Sequence, residues 1–418
     1  MQVERVENFI TMFTQSIGIQ EPWYIDRVEF SEENAAVHIH AGARKTAKYA
    51  CPICGKESVR YDNEDKERTW RHGDVVFYPC YVHCRRPRVK CEEHGVHVVT
   101  PPWARRRSGF TLLFEAYAML LLADMPVTKV CRALRCGHTA ITNILRYWVE
   151  KAVAEDDLSE VEVLHIDETS HKKGQRYVTV VLDAKARRVI GVEEGRSEAA
   201  VEAFGAKLEA KGGSCDRIAQ VASDMSSAYL KGREDWFPNA VSVIDRFHVK
   251  KLLLEGLDEV RRQEQGIKKK GRSGWSQKKL LMIPGAKLSP AQSDKVQSLS
   301  RQYPKTGRAH RMVEALDVVY ASDNEQQADE RLSQLISWMR RSRLEPMKKA
   351  AQTLKKHRVE ILAYFRSRLT NALAEGINSL IQAAKRKARG FPTFRGFACM
   401  ICLVAGKLSL ACGSPFPA

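Results

Sequence analysis

Short apolar runs divide the middle of the chain into predicted β-strands. Three of them follow one another with short polar connections: Val161–Ile166, Tyr177–Leu182 and Val189–Val192. Runs of this length are typical of strands, and short connections favour antiparallel neighbours, so we predict a three-stranded meander. Two further runs, Arg217–Ala222 and Ala240–Ile244, extend the prediction to five strands.

A helical pattern separates the third strand from the fourth. Ala200, Val201, Phe204 and Leu208 lie on one face of a helix predicted over Ser197–Ala210. Three strands, a helix, then strand, helix and strand is the element order of a ribonuclease H-like α/β core. This order sets the predicted fold class.

The patterns divide the chain into five segments. Residues 1–105 read as a small irregular module with an alternating strand at Ala36–His40, and residues 106–155 as a helix-turn-helix domain. Residues 156–247 form the first part of the ribonuclease H-like core. Residues 248–368 are charged and helix-rich without a clear strand, which indicates a helical insertion, and residues 369–418 complete the core.

The charge balance indicates a polyanionic partner. The 418 residues carry 68 Lys and Arg against 50 Asp and Glu, a formal net charge of +18. Cations placed near phosphates release condensed counterions, so we expect double-stranded DNA as the partner rather than a solvated charge coat. Met1–Gln20 lacks a secretory pattern, and no run of about 18 apolar residues exists, so we expect a cytoplasmic, nucleoid-associated protein without membrane contact.

Two short cysteine motifs predict a structural zinc site. Cys51 and Cys54, followed by Gly55, have the spacing with which two thiolates reach one tetrahedral Zn²⁺. Cys91 and His94 repeat that spacing, and Gly95 repeats the glycine. The expected site is therefore of the closed Cys₃His type.

Other readings of the cysteines stay open. Cys80, His83 and Cys84 compete for the second half of the site, because Cys80 and His83 have the same spacing. Reduced thiols without metal are the simpler alternative. The pair Cys399 and Cys402 lies in a continuous apolar run, where core packing is the better explanation.

Three helices are predicted ahead of the core, over Thr111–Leu122, Val127–Leu134 and Thr139–Val149. The second and third are joined by a four-residue turn with glycine, Arg135–His138, which is the arrangement of a helix-turn-helix. On the third helix, four side chains offer hydrogen bonds to base edges in a major groove: Thr139, Thr142, Asn143 and Arg146. An ordinary helical hairpin is the competing interpretation.

Two aspartates follow predicted strands that are neighbours in such a core. Asp167 comes after the first strand and Asp224 after the fourth. Phosphodiester chemistry uses a pair of Mg²⁺ (or Mn²⁺) ions about 4 Å apart, and such hard cations take carboxylate oxygens as ligands. Glu168 and Asp183 are alternatives to Asp167.

Glu375 is the third candidate acid, on a helix that ends in a basic cluster. Arg386 lies three helical turns further on the same face, and Lys385 and Arg389 accompany it. One face of this helix can thus bind metal at one end and phosphate at the other. After the fifth strand, Arg246 and His248 are further candidates for phosphate or strand contacts, with an ordinary connection as the alternative.

Motifs spread over most of the chain are specific in combination. They are Cys51-Pro52-Ile53-Cys54-Gly55, Pro102-Trp103-Ala104, His165-Ile166-Asp167-Glu168, Ser223-Asp224-Met225-Ser226 with Tyr229, Phe237-Pro238-Asn239-Ala240, Asp245-Arg246-Phe247-His248-Val249, and Asn371 with Glu375-Gly376-Ile377-Asn378 to Lys385-Arg386. With these motifs the chain resembles the DDE transposases of the ISL-three (ISL3) insertion-sequence family.

The resemblance implies metal-dependent DNA cleavage and strand transfer at the inverted repeats of a mobile element. It implies Asp167, Asp224 and Glu375 as the triad, an N-terminal zinc and helix-turn-helix region that recognises the repeats, and a homodimer or larger assembly on DNA. His94 departs from the family pattern, which usually has a fourth Cys. Gln382 also departs, since related enzymes often carry a cation there, and Lys385 or Arg386 takes over that role. The alternative is a site-specific DNA-binding regulator with an inactive nuclease-like core.

Overall fold

The computed structural model describes Thr14 and residues 17–172, 176–266, 275–367 and 372–410. Asn371 and the predicted boundary between residues 368 and 369 lie outside this part of the chain. Two compact units are present, one over Met1–Val153 with Leu408–Ala418 and one over Ala154–Lys407. Among the described helices, none has the length and apolar character needed to cross a bilayer.

The described part of the first unit contains two four-stranded sheets. Its strands are β1 (Trp23–Ser31), β2 (Ala36–Ala43), β3 (Lys48–Ala50), β4 (Glu57–Asn63), β5 (Arg68–Val75), β6 (Tyr78–Cys84), β7 (Pro87–Cys91) and β8 (Gly95–Val98). The sheet orders are β1-β2-β6-β5 and β3-β4-β7-β8. The strand predicted at Ala36–His40 is confirmed as β2, but the expectation that the rest of the module is irregular was wrong. Strand β4 is an example of a missed strand: it has only two apolar residues, Val59 and Tyr61, and both are exposed.

Three helices follow the sheets, α1 (Leu112–Asp124), α2 (Val127–Ala133) and α3 (His138–Glu155). They match the three predicted helices, although α3 extends several residues further. Ile141, Leu145 and Trp148 are buried along α3, as its periodicity predicted. Thr111 begins α1 because its hydroxyl accepts a hydrogen bond from the Phe114 N–H.

A buried carboxylate joins the three-helix segment to the chain before it. Glu115 on α1 is fully buried, and its oxygens accept hydrogen bonds from Arg105 Nε at 2.8 Å, Ser108 Oγ at 2.6 Å and Trp148 Nε1 at 2.7 Å. The Arg105 guanidinium also lies 3.9 Å from the centre of the Tyr147 ring. The charge is thus paired and hydrogen-bonded, which a buried ion requires.

Replacing Glu115 by Ala is expected to destabilise the first unit by about 3–5 kcal/mol, because it leaves the Arg105 charge without its buried partner. Denaturant unfolding followed by tryptophan fluorescence measures the change. The control is Glu33→Ala, which removes an exposed carboxylate from the turn between β1 and β2 and should stay within about 0.5 kcal/mol of the parent. A loss below about 1 kcal/mol for Glu115→Ala would contradict the assigned role of this network.

A histidine on β5 makes the stability of the first unit dependent on pH. His72 Nδ1 lies 2.8 Å from Thr111 Oγ1, and burial followed by the Arg71 charge lowers the pKa of His72 to about 4. Its folded pKa is below the unfolded value near 6.5, so its contribution is fully present above pH 6.5 and is lost as the pH falls toward 4.

We expect the parent to lose roughly 2 kcal/mol more than His72→Asn between pH 7.5 and pH 5, because Asn keeps a hydrogen-bonding group without titrating. Denaturant unfolding at the two pH values, with the zinc content measured in each sample, provides the comparison. Equal pH dependence in the two proteins would show that His72 does not carry the effect.

The second unit is built on one five-stranded sheet. Its strands are β9 (Val163–Lys172), β10 (Arg176–Asp183), β11 (Arg188–Glu194), β12 (Gln220–Ser223) and β13 (Val241–Ile244). The sheet order is β11-β10-β9-β12-β13, with β9, β10 and β11 antiparallel and β12 parallel to both β9 and β13. The predicted meander and the pairing of the first strand with the fourth are confirmed.

Helices cover both faces of this sheet. On one face, α4 (Glu198–Ala210) and α5 (Ser227–Trp236) share a hydrophobic cluster with β9, β10 and β11. The predicted apolar face of α4 is buried. On the other face, Val178, Val180 and Leu182 of β10 pack with α13 (Ala372–Ala388) and α14 (Phe394–Ala405). Cys399 and Cys402 lie on α14, where Cys399 is buried.

The segment between β13 and α13 is helical throughout its described part. Its helices are α6 (Arg246–Glu264), α7 (Trp275–Leu281), α8 (Pro290–Gln302), α9 (Pro304–Tyr320), α10 (Glu325–Arg341), α11 (Glu345–Lys356) and α12 (Arg358–Ser367). They form a hydrophobic core of their own. Ala363 of α12 also packs against Ala222 and Val243 of the five-stranded sheet. The last helix of the segment therefore contacts the sheet again before α13 begins.

Candidate catalytic and zinc sites

Three aspartates share one level of the sheet. Ala222 of β12 lies opposite both His165 of β9 and Val243 of β13. Two residues after each of these aligned positions, the sequence has an aspartate: Asp167, Asp224 and Asp245. Since residues at the same register of neighbouring parallel strands point to the same face, this edge of the sheet concentrates carboxylates.

Asp167 lies inside β9, which corrects the expectation that it ends the strand. β9 continues to Lys172 because it stays paired with β10 along its full length. Its pairing with β12 stops at His165, so the side of β9 that faces β12 is open from Asp167 onward. Asp224 follows the last residue of β12, as predicted.

Strand alternation sends Asp167 and Glu168 to opposite faces of the sheet. Asp167 lies opposite Val180 of β10, which belongs to the cluster packed against α13. The face of Asp167 is therefore the face of the helix that carries Glu375.

Side chains from one face of α13 bind along β9. The three pairs are Asn378 Nδ2 to Asp167 Oδ2, Gln382 Nε2 to Thr169 Oγ1 at 2.7 Å, and Lys385 Nζ to the Ser170 carbonyl. Glu375 precedes Asn378 by three residues, so it lies one turn earlier on the same face. Glu375 itself is exposed, which leaves its carboxylate accessible at the open end of the site.

His248 lies between two of the aspartates. Its Nε2 is 3.9 Å from Asp167 Oδ1 and 3.6 Å from Asp245 Oδ2. Asp245 begins α6, because its Oδ1 accepts a hydrogen bond from the Phe247 N–H at 2.9 Å. Burial and then the negative charges of Asp167 and Glu375, opposed by the Phe247 N–H and by His248, raise the pKa of Asp245 to about 6.

Asp224 is fixed by its own turn, since its Oδ1 accepts a hydrogen bond from the Ser226 N–H at 2.8 Å. The negative charge of Asp224 also acts on the carboxylate of Glu168. Burial, with the charges of Asp224 and Asp167 and against that of Arg196, raises the pKa of Glu168. Arg196 Nη1 lies 3.7 Å from Glu168 Oε2, so this carboxylate has a partner outside the triad.

Asp183 does not join the acids. It is buried at the end of β10, where its Oδ1 accepts hydrogen bonds from the N–H groups of Lys185 at 2.9 Å and Ala186 at 3.1 Å. This geometry closes the turn to β11, which is a structural role.

The acids at this edge fit a hard divalent cation by their chemistry. Carboxylate oxygens are what Mg²⁺ and Mn²⁺ prefer, and Asp167 on β9, Asp224 after β12 and Glu375 on α13 supply such oxygens. The ligand oxygens of Asp167, Asp224 and Glu375 do not all lie within 4.8 Å of one another. Carboxylates repel one another in the absence of a cation, and a cation bound between them would remove that repulsion.

The far end of α13 presents cations beside an open groove. The groove has a volume of about 730 Å³, and its basic lining residues are Lys172, Lys385, Arg386 and Arg389. The Lys172 ammonium donates to the Pro392 carbonyl, and His171 Nε2 lies 3.1 Å from the Phe391 carbonyl. The helix is continuous from Glu375 to Arg386, so the two ends of this face are about 16 Å apart.

Arg246, in the first turn of α6, points to the helical segment. Its Nη2 lies 3.4 Å from Asp317 Oδ1, and its guanidinium lies 4.9 Å from the centre of the Tyr320 ring. Lys250, one turn further, binds the same Asp317 at 2.7 Å. Arg246 is thus paired with the helical segment.

Cys51, Cys54, Cys91 and His94 form a compact group, with one ligand atom of each lying within 4.8 Å of all the others. Gly55 and Gly95 have φ of +75° and +76°, a conformation that glycine adopts without strain, which explains why both knuckles carry it. The His94 side chain and then the N–H groups of His94 and Glu93 lower the pKa of Cys91 to about 6. The thiolate, which is the metal-binding form, is thereby favoured.

The competing cysteines lie elsewhere in the first unit. Cys80 and Cys84 point into the hydrophobic core of the β1-β2-β6-β5 sheet, and burial raises the pKa of each to about 12. His83 packs between His38 and His40, with ring centroids 5.1 Å and 4.9 Å away. These three residues do not converge on a common ligand position in the described structure.

The candidate base-reading residues lie on the outer side of α3. Thr139 and Asn143 are exposed, while Thr142 and Arg146 are half-buried. Thr142 Oγ1 donates to the His138 carbonyl at 2.8 Å, which ties it to its own helix.

Comparison with known proteins defines the class of this protein: it is a DNA transposase. A family model described as "Transposase" matches residues 164–401, which is more than half of the chain. A model for the helix-turn-helix domain of transposase family ISL3 matches residues 99–149, and one for the zinc finger of transposases IS204, IS1001, IS1096 and IS1165 matches residues 48–94. The chain belongs to the ISL3 family of DDE transposases.

Curated relatives match along nearly the whole chain. The transposase for insertion sequence element IS1557 of Mycobacterium tuberculosis is 27% identical over 412 residues, which cover 91% of this chain and 92% of that protein. The transposase for insertion sequence element IS1001 of Bordetella parapertussis is 27% identical over 384 residues, which cover 90% and 94%. The zinc-finger match spans all four residues of the compact group, which supports a structural Zn²⁺ in the first unit.

Sequence reasoning missed two residues of the site. Asp245 and Asn378 stand in the motifs that carry the family resemblance, yet the sequence analysis did not predict that either lies in the site. The strand register was the available signal for Asp245. Like Asp167 and Asp224, it follows by two residues a position that is aligned across β9, β12 and β13. Asn378 was readable as the residue one turn after Glu375.

Proposed function

We propose that the second unit is a ribonuclease H-like core in which Asp167, Asp224 and Glu375 hold the divalent metal of the DDE reaction. The position of Asp224 directly after β12, next to the parallel strand β9 that carries Asp167, is the observation on which this proposal rests. The sheet order and the helices on both faces support the ribonuclease H-like assignment. Bound Mg²⁺ or Mn²⁺ would activate the attacking oxygen and stabilise the leaving one.

The protein side chains supply position and charge. Asn378 fixes Asp167 against α13, and the turn at Ser226 fixes Asp224. Lys385, Arg386 and Arg389 contact DNA phosphates at the lower end of α13, while Arg246 and His248 contact the strand near the aspartates. The outcome is hydrolysis at each end of the element, which frees a 3′-hydroxyl, followed by attack of that hydroxyl on target DNA.

The first unit recognises the ends of the element. Thr139, Thr142, Asn143 and Arg146 read base edges from α3 in the major groove. Cys51, Cys54, Cys91 and His94 are the zinc ligands of a closed structural site. Both ends must be held together during transfer, so the active form is a homodimer or larger assembly on DNA in the bacterial nucleoid.

The domain limits proposed from the sequence are retained, with the zinc module at residues 1–105, the helix-turn-helix domain at 106–155 and the helical insertion at 248–368. The insertion places a long helical segment between Asp224 and Glu375. It clamps DNA or contacts the partner protomer.

Purified protein and DNA carrying the inverted repeats that flank the gene test this function. With Mg²⁺ or Mn²⁺, cleavage is expected at the repeat boundaries, followed by joining of the 3′ ends to a target plasmid. A duplex with scrambled repeats is the control and should stay intact. Equal cutting of both duplexes indicates a structure-selective nuclease, and specific binding without cutting indicates a regulator with an inactive core.

A further inference from the structure

Asp245 lies among the acids without being one of the proposed triad. Its side chain is only 3% exposed. One oxygen, Oδ1, caps α6 through the Phe247 N–H, and the other, Oδ2, is buried with no hydrogen-bond partner in the described structure. A helix cap needs a single acceptor, and a buried unpaired carboxylate oxygen is costly. Capping therefore does not explain why this position carries a buried acid.

The group nearest to that free oxygen is the imidazole of His248. Its Nε2 lies 3.6 Å from Asp245 Oδ2 and 3.9 Å from Asp167 Oδ1. Asp245 is the cap of α6 and His248 is its third helical residue, so the helix geometry itself brings the two side chains together. The ring of Phe247 also packs edge-on to the imidazole, with ring centroids 5.6 Å apart, which limits its rotation.

The two cations that flank His248 at a distance of two residues on α6 are paired elsewhere. Arg246 and Lys250 both bind Asp317 in the helical segment. Among the described residues, His248 is the basic side chain that lies within ion-pair range of Asp245 Oδ2. A carboxylate behind an imidazole fixes the ring orientation and the tautomer, as it does behind metal-bound histidines.

We propose that Asp245 is a positioning residue that holds the His248 imidazole beside Asp167, so that His248 donates a hydrogen bond to the phosphate undergoing cleavage. This inference rests on the proposed function, because it takes Asp167 to mark the place of the reacting phosphate. Asp245 acts only through His248, and it takes no part in binding metal or DNA directly. The site then consists of three metal-binding acids and one aspartate–histidine pair.

Four variants test the pair: Asp245→Asn, Asp245→Ser, His248→Gln and the double variant Asp245→Asn/His248→Gln. Asn and Ser both retain the helix cap, so thermal unfolding should remain close to that of the parent. Each single change is expected to lower the single-turnover cleavage rate at saturating DNA by about 10- to 100-fold, with the DNA dissociation constant unchanged. The double variant should be no slower than the slower single variant, because both changes remove the same interaction.

Asp183→Asn is the matched control. Counted over the whole residue, Asp183 and Asp245 are both 6% exposed, and both accept backbone hydrogen bonds. Asp183, however, closes the turn between β10 and β11. The control should cleave at the parental rate. A purely structural role for Asp245 would slow cleavage only in proportion to lost folded protein, and the unfolding curves measure that fraction.

Three results overturn the proposal. Parental cleavage by Asp245→Asn would show that the carboxylate is dispensable. Rate losses that multiply in the double variant would show that the two residues act separately. A tenfold rise in the Mg²⁺ concentration for half-maximal cleavage by Asp245→Asn would make Asp245 a metal ligand instead. If Asp224→Asn also cleaves normally, the proposed metal site fails, and that result is distinct from these three.

Discussion

Replacing Asp224 by Asn is expected to abolish strand cleavage while DNA binding persists. Asn retains an oxygen for the Ser226 N–H, so the turn after β12 keeps its geometry. The change removes the negative charge that a divalent cation needs at the centre of the aligned aspartates. We expect the cleavage rate to fall at least about a thousandfold, equivalent to about 4 kcal/mol of transition-state stabilisation.

Single-turnover cleavage of labelled element ends measures the rate, and a gel-shift titration measures the affinity. The matched control is Asp216→Asn, the same chemical change at an exposed position before β12, away from its carboxyl end. It should cleave at the parental rate. Normal cleavage by Asp224→Asn would show that the assignment of the metal site is wrong, and Glu168, which lies within electrostatic reach of Asp224, would be the next acid to replace.

Replacing Cys54 by Ser is expected to release about one equivalent of zinc per chain and to unfold the β3-β4-β7-β8 sheet. Cys51 and Cys54 lie in the turn between β3 and β4, whereas Cys91 and His94 lie at the turn between β7 and β8. A metal bound by all four ties two hairpins together. The sheet buries few side chains of its own, since Val59 and Tyr61 of β4 are exposed, so the metal supplies much of its stability.

Metal analysis gives the zinc content, and hydrogen exchange over residues 48–94 reports the local unfolding. Cys131→Ser is the control, because Cys131 is a half-buried thiol of α2 outside the group of four, and it should keep its full zinc content. Unchanged zinc in Cys54→Ser would redirect the assignment to Cys80 and Cys84. Loss of zinc without loss of protection from exchange would show that the sheet folds independently of the metal.

In both units, hydrophobic periodicity predicted the helices and strands that bury one clear face. Helix α4 was predicted because Val201, Phe204 and Leu208 recur at helical spacing, and β9 to β11 because apolar runs alternate with short polar turns. In the first 105 residues the same reasoning predicted only the strand at Ala36–His40, which is β2. Strand β4 was missed because its seven residues include only two apolar side chains, Val59 and Tyr61, among charged and polar ones.

The zinc group was readable because its chemistry is local. Each pair of ligands sits in one tight turn that needs a glycine with positive φ, and both glycines are visible in the sequence. The choice between Cys91 with His94 and the residues of β6 was less direct. It depended on which side chains converge in space, and among the described residues Cys51, Cys54, Cys91 and His94 form such a group.

The amino-acid sequence alone indicated the family, predicted the order of the elements after residue 105 and singled out the acids at positions 167, 224 and 375 as candidates, because these depend on local periodicity and on motifs a few residues long. The folded chain decided which face each acid occupies, since that depends on register between strands distant in sequence. A β9 that continues past Asp167, the alignment of Asp245 with Asp224, and the contact of Asn378 with Asp167 all arise from such pairings. Side-chain alternation has a period of two residues, so a shift of one position would reverse every one of these assignments.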